Sequence, residues 1–160
     1  MKLVSSDRKR RGMSLDAITD FLNSAPVGRM ATINPDGTPY VLPLHFAFED
    51  DRIYVHCALE GKKLDNLRRN PAVCFEADEV LDVQIVSEKP CASGTYYRSV
   101  IANGQAAIVD DPARKRHILQ VLMDKYAWGR KRGEMSDEAI DETCVVEIMV
   151  EEISGKARLP

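Results

Sequence analysis

The sequence predicts a mainly β fold of the α+β class, an antiparallel barrel with peripheral helices, and three observations carry that expectation. Apolar residues alternate with period two along several stretches, the pattern of half-buried strands. Two turn signals, Asn34-Pro35-Asp36-Gly37 and Glu49-Asp50-Asp51-Arg52, join neighbouring stretches tightly enough to demand hairpins. Helical spacing occurs only in short capped segments, with no βαβ alternation, no internal repeat and no low-complexity run.

The elements follow in order. Ser14 caps a first helix in which Leu15, Ile18, Phe21 and Leu22 recur at helical spacing, with Asp16 in the first turn and Pro26 just past the end. Val27–Ile33 reads as a strand that turns back onto Thr38–Phe48. There Leu42, Leu44, Phe46 and Phe48 share one face, while Val41, Pro43, His45 and Ala47 share the other. In the next strand Ile53, Val55 and Cys57 form the apolar set and Tyr54 and His56 the opposite one. A helix over Lys62–Arg69 carries Leu64 and Leu67 at i, i+3 and stops at Asn70-Pro71. Ala72–Ala77, Leu81–Ser87 and Tyr96–Val109 are three further strands, the last interrupted by Gly104, which marks a bulge or a sharp bend. Asp110 or Asp111 caps a long helix beginning near Pro112, with Ile118, Leu119, Leu122 and Tyr126 on one face. Ser136 caps a short helix over Asp137–Glu142, and Cys144–Ile153 is the final strand, for about seven strands in all.

At 160 residues, 44% hydrophobic and 29% charged with a net charge of −3, the chain has the composition of one ordinary globular domain over 1–160, with residues 1–12 a flexible tail. The basic clusters Arg8-Lys9-Arg10-Arg11 and Arg130-Lys131-Arg132 are not interleaved with aromatics, so a nucleic-acid partner is not expected. No apolar run is long enough to span a bilayer and the N-terminus lacks a signal-peptide core, which predicts no membrane partner and a cytoplasmic location. Cys57, Cys74, Cys91 and Cys144 are far apart with no C-x-x-C, the pattern of reduced, buried thiols.

The most informative stretch is Val41–Lys63. If Phe48 pairs with Ile53, His45 falls across from His56 on the face away from the core. A metal site there needs further ligands, yet alternation sends Cys57 to the opposite face, leaving Glu60 as the other neighbouring candidate. An anion site has better support. Gly61-Lys62-Lys63 stands where the chain leaves a strand and starts a helix, so backbone N–H groups, the helix dipole and two ammonium groups can meet one phosphate. Neither the P-loop nor the Rossmann glycine pattern is present.

The order of strand-turn-strand, Ile53-Tyr54-Val55-His56, Gly61-Lys62-Lys63, Leu67-x-x-Asn70-Pro71-x-Val73 and Tyr97-Arg98-Ser99-Val100-x-x-x-Gly104-x-Ala106 resembles the FMN-binding split barrel of the pyridoxamine 5′-phosphate oxidase superfamily, and within it the nitroimidazole-resistance branch. The likeness runs from about Ser14 to Tyr126. It implies an antiparallel split β-barrel and a homodimer with FMN at the subunit interface. By that resemblance Val41, Leu42, Pro43, Leu44, His45 and Phe46 run along the flavin edge, with Pro43 and His45 nearest the ring. His56 and Cys57 lie beside the ribityl chain and phosphate, Lys62 and Lys63 grip the phosphate, and Ser99 reaches the flavin. Alternation and resemblance conflict at Cys57, which alternation buries. The vitamin-B6 oxidases of the superfamily carry C-terminal Arg and Trp residues with no comparable set in Val145–Pro160, so their activity is not expected here.

The resemblance implies an FMN-dependent oxidoreductase that reduces a small organic acceptor, nitroaromatic or quinone-like, with electrons from a nicotinamide donor. His45 is the candidate catalytic residue, donating a hydrogen bond to charge that develops on substrate or flavin. Two alternatives remain open from sequence: a non-enzymatic FMN-binding sensor or carrier, and a haem-binding barrel with His45 or His56 as axial ligand. Trp128, Tyr96 and Tyr97 are either packing residues or a wall of the ring site.

Overall fold

The computed structural model describes residues 1–4, 11–86, 88, 93–127, 130 and 133–160, and among them the chain forms eight strands and four helices. These are β1 (Lys2–Leu3), α1 (Leu15–Ser24), β2 (Gly28–Ile33), β3 (Pro39–Leu44), β4 (Ala47–Glu49), β5 (Arg52–Cys57), α2 (Lys62–Arg69), β6 (Ala72–Gln84), β7 (Gly94–Ile108), α3 (Pro112–Tyr126), α4 (Asp137–Asp141) and β8 (Cys144–Arg158). The sheet runs β3-β2-β6-β7-β8-β5-β4, antiparallel throughout, with β1 added parallel to β8. Its two edge strands, β3 and β4, are consecutive in the chain. The sheet therefore curls until its edges are joined through His45-Phe46, which is the seam of a split barrel.

Why the chain breaks there is visible in the side chains. Phe46 is fully buried in the main core while His45 is exposed, so the step from one to the other turns the chain inward. The strand predicted over Thr38–Phe48 is thus two strands belonging to opposite edges. Beyond the seam the predicted register holds, with Phe48 opposite Ile53 and Ala47 opposite Tyr54. Asp50 and Asp51 close that hairpin with φ of 49° and 62°, a two-residue turn of the type that matches strand twist.

The other departures are also physical. Ala72–Ala77 and Leu81–Ser87 merge into one 13-residue strand, with a register shift between Val80 and Asp82. The acidic stretch that suggested a gap stays in the ladder because Arg29 bridges Glu76 and Asp78, and Arg98 pairs with Glu79. The bulge expected at Gly104 is present as a register shift between Asn103 and Gly104. β8 runs on to Arg158, five residues past the predicted end, because β7 is long enough to pair with all of it. The N-terminal residues expected as a free tail are partly in the sheet: Lys2 and Leu3 cover the edge of β8 that lies beyond the start of β5, and Gly12 bridges Lys156. Arg8–Arg10, Ser87, Cys91, Trp128 and Lys131–Arg132 lie outside the described residues.

Ile18, Phe21 and Leu22 of α1 plug one end of the barrel against Met30, Phe46, Phe75 and Val100. A second cluster, Ala47, Tyr54, Ile118, Leu119, Leu122, Ile140 and Val145, holds α3 and α4 against the outside of β4, β5 and β8. Tyr126, read from sequence as one more apolar contact of α3, does something different at the seam.

Candidate functional site

Tyr126 ends α3 directly over the break between β3 and β4. Its hydroxyl accepts the Phe46 N–H at 2.9 Å and faces two carbonyl oxygens, Phe46 at 3.0 Å and Pro26 at 2.9 Å. Those backbone groups have left the ladder at the seam, and the phenol takes the place of the missing strand. The Tyr126 ring also stacks on His45, with centroids 4.6 Å apart and planes 30° off parallel. Next to it, Lys125 lays its ammonium 3.5 Å from the centre of the Phe46 ring and donates to the Leu22 carbonyl at 2.7 Å. Burial drives its pKa down to about 8. Sequence reasoning put Tyr126 on the inner face of α3 and passed over Lys125, since helical periodicity says nothing about what a side chain meets and marks no inward face for a lysine.

His45 and His56 come together, though not as a ladder pair. The β4–β5 pairing ends at Ala47–Tyr54, and His56 sits opposite Val145 of β8. Both imidazoles instead line one cavity of about 320 Å³, whose other walls include Leu119, Leu122 and Met123 of α3 and Ala139 and Ile140 of α4. Its surface is almost entirely apolar apart from the two rings and Thr143. Protein around His56 lowers its pKa, first through desolvation, then through the neighbouring His45 and Lys63. A second hollow on the other side of His45 is lined by Val27, Pro43 and Leu44.

The other residues singled out along β3 alternate in exposure as the sequence pattern requires. Val41, Pro43 and His45 form an exposed outer row, while Leu42 and Leu44 pack against the main core. Cys57 also packs on that core, opposite Cys144, so its thiol is not among the cavity walls. Ser99 lies in β7 between Asp78 and Lys156, away from the cavity lining of this chain. Tyr96 and Tyr97 stand further along the same strand, under Arg158 and Lys156 respectively.

Helix α2 brings the cations. Leu64 and Leu67 bury its inner face, and the fully buried Asn66 pins it to the β2–β3 hairpin by donating to Thr32 Oγ1 at 3.0 Å and Asn34 Oδ1 at 3.1 Å. Gly61 starts the helix at φ 139°, a conformation that side chains disfavour, and supplies no capping side chain. The first N–H groups of α2 therefore point outward without a side-chain cap. Lys62 lies 4.6 Å over the Tyr40 ring, and the Lys63 charge is near enough to act on His56. Among the described residues no group of three or more His, Cys, Asp or Glu is placed to hold a metal ion.

Comparison with known proteins adds the family. A model described as pyridoxamine 5′-phosphate oxidase matches residues 14–157. The structure is similar to a 5-nitroimidazole antibiotic resistance protein of Bacteroides thetaiotaomicron, with 27% identity and a TM-score of 0.78 over 91% of this chain and 85% of that one. It is also similar to an FAD-binding protein of Mesorhizobium loti, at 27% identity and a TM-score of 0.66 over 92% and 97% of the two chains. A curated relative, the 5a,11a-dehydrotetracycline/5a,11a-dehydrooxytetracycline reductase of Streptomyces rimosus subsp. rimosus, is 25% identical over 100 residues, 60% of this chain. That match spans 64% of the reductase's own length.

Proposed function

The chain belongs to the pyridoxamine 5′-phosphate oxidase family, and from that premise we propose that it is an FMN-dependent oxidoreductase reducing a small nitroaromatic or quinone-like acceptor. One observation carries this reading: an uncapped, dicationic helix start at Gly61–Lys63 adjoins, through His56, an apolar cavity of about 320 Å³. A flavin mononucleotide has the matching halves, a dianionic phosphate and a flat ring with a polar edge. When bound, the flavin supplies the hydride and electron chemistry. The protein's part is to bind and orient. Lys62, Lys63 and the α2 N–H groups would hold the phosphate, and the exposed row Val41, Pro43, His45 would border the ring. His45, held by its stack on Tyr126, would donate a hydrogen bond to charge developing on the acceptor. The FAD-binding protein and the reductase among the relatives favour a flavin-type redox role.

A homodimer completes the proposal. Val41 on β3, Val80 and Val83 at the far end of β6 and Ile85 just past it are 58%, 61%, 52% and 75% exposed, apolar side chains that a second copy would cover. The same copy would bring Ser99 to the flavin. The test is a fluorescence titration with FMN, followed by stopped-flow mixing of the loaded protein with NADH or NADPH. Quenching with a 1:1 end point that weakens at least tenfold in Lys62→Ala/Lys63→Ala supports the grip, each charge-assisted bond contributing about 1.5–3 kcal/mol. Bleaching by the nicotinamide supports the enzyme, and a persistent yellow protein supports a flavin-binding module instead. The two imidazoles on an apolar cavity also favour haem as a second reading, which a Soret band would reveal.

A further inference from the structure

Cys57 is the last residue of β5 and Cys144 the first of β8, and the two are direct partners across the antiparallel ladder. Such partners have Cα atoms roughly 4.5–5.5 Å apart, inside the range of about 4.4–6.8 Å that a disulfide spans. Both cysteines are free thiols, Cys57 half-buried and Cys144 buried. Their side chains lie on the same face of the sheet, toward the core, and are close enough for Cys57 to act on the Cys144 thiol. One half-buried and one buried thiol, paired at the last position of a ladder, form a ready cross-link.

We propose that Cys57 and Cys144 are a redox modification site, a cross-strand dithiol that a hydroperoxide oxidises to a disulfide. The asymmetry of the pair sets the order of events. Burial, reinforced by Cys57, pushes the Cys144 thiol up to about 11, with Lys63 and Lys115 opposing that rise. Cys57, the more accessible thiol, is the one to meet the oxidant. Its sulfur attacks the peroxide, taking one oxygen to become sulfenic acid and releasing water. The Cys144 sulfur then displaces that oxygen, which leaves as a second water with the thiol proton. Two thiols lose two electrons and two protons, and hydrogen peroxide is reduced to two waters.

The pair also borders the anion grip. Cys57 leads through Ala58–Glu60 to Gly61, and Lys63 lies close enough to act on the Cys144 thiol. A disulfide draws Cβ atoms to about 3.8 Å, tightening β5 against β8 where the chain departs for α2. The cross-link should therefore shift Lys63 and weaken phosphate binding, a consequence that rests on the flavin reading above. Cys74 is not an alternative partner: it lies on β6, with β7 between it and β8, and across β7 its register position is Glu152, eight residues along β8 from Cys144.

The experiment treats the full-length protein with hydrogen peroxide, blocks remaining thiols with N-ethylmaleimide under denaturing conditions, and maps tryptic peptides by mass spectrometry. The expected result is a Cys57–Cys144 linked peptide, two hydrogens lighter than its reduced parts and dissolved by dithiothreitol. In Cys144→Ser, dimedone should trap the sulfenic acid on Cys57. Finding both cysteines alkylated after Cys74 or Cys91 has been oxidised would overturn the site, and the wild-type map gives that answer even if a variant fails to fold. FMN titration of oxidised and reduced protein supplies the second readout. A higher dissociation constant after cross-linking is expected, and an unchanged one overturns the coupling. Reduced protein that binds no FMN refutes the flavin reading and leaves the peptide map standing on its own.

Discussion

Replacing Tyr126 with Phe tests the claim that a phenol closes the barrel seam. The ring, its packing and its stack on His45 survive; the hydroxyl does not. Three backbone groups lie 2.9–3.0 Å from that oxygen, but a hydroxyl has one proton, so it accepts from Phe46 N–H and donates to one of the two carbonyls at a time. Two hydrogen bonds at about 1 kcal/mol each, plus the cost of leaving the Phe46 N–H without its acceptor, give a loss of about 2–3 kcal/mol. For a chain of this length that corresponds to roughly 4–12 °C in melting temperature. Urea unfolding followed by circular dichroism reads the difference, with calorimetry as a check on two-state behaviour. A loss below about 0.5 kcal/mol would mean water replaces the phenol without cost, and the seam would have to be held by Phe46 packing alone. Tyr126→Leu separates the second role: it also removes the stack on His45 and should cost about 0.5–1.5 kcal/mol more than packing loss predicts.

Three further outcomes follow from the same geometry. Lys125 has a folded pKa of about 8, below its unfolded value, so between roughly pH 8 and 10.5 the unfolded state binds more protons and stability rises with pH. The urea midpoint of wild type relative to Lys125→Met should climb across that window, and a flat difference would show that the ammonium is not desolvated. His56 is also lowered, by desolvation, then His45, then Lys63, so its contribution is lost as pH falls from the ordinary histidine range. Its ring resonance in NMR should titrate below the ordinary histidine range, and a midpoint at or above that range would contradict the cavity environment. Gly28→Ala would place a Cβ 2.1 Å from Cζ of the fully buried Phe75, which itself packs edge-on to Phe46. Overpacking of that kind costs about 1–3 kcal/mol, measurable as a lower urea midpoint at unchanged slope.

Much of the fold is legible because its signals are local. Ser14, Asp111 and Ser136 cap their helices through their side chains as expected, and Phe48–Ile53 pairing follows from loop length. What sequence could not supply is long-range. Period-two alternation runs unbroken through His45-Phe46, so nothing there shows that β3 and β4 join opposite edges of one sheet. The charges at Asp78-Glu79 resemble a loop until Arg29 and Arg98 are brought over them from neighbouring strands. For the site, alternation correctly separated the outer row Val41, Pro43, His45 from Leu42 and Leu44. It could not reveal the cavity, since Leu119, Leu122, Met123 and Ile140 come from helices about 60–90 residues downstream whose apolar faces look like any others.

The seam also explains why the candidate site residues gather where they do. Closing a sheet through a two-residue break frees backbone groups at the join, and an edge strand left open invites unwanted pairing. Each side of the join is managed differently. On the β4 side the freed groups are taken by Tyr126, which fixes His45 as a by-product. On the β3 side, Pro39 and Pro43 remove donors from the edge, and among the described residues no strand pairs beyond β3. That edge is unable to recruit a regular strand, yet it presents a rigid row of side chains beside a cationic helix start. Two-sided rigidity with one face uncovered suits the flat ligand shared between two copies of the chain that is proposed above, because an edge poorly suited to a structural role is left to carry a ligand.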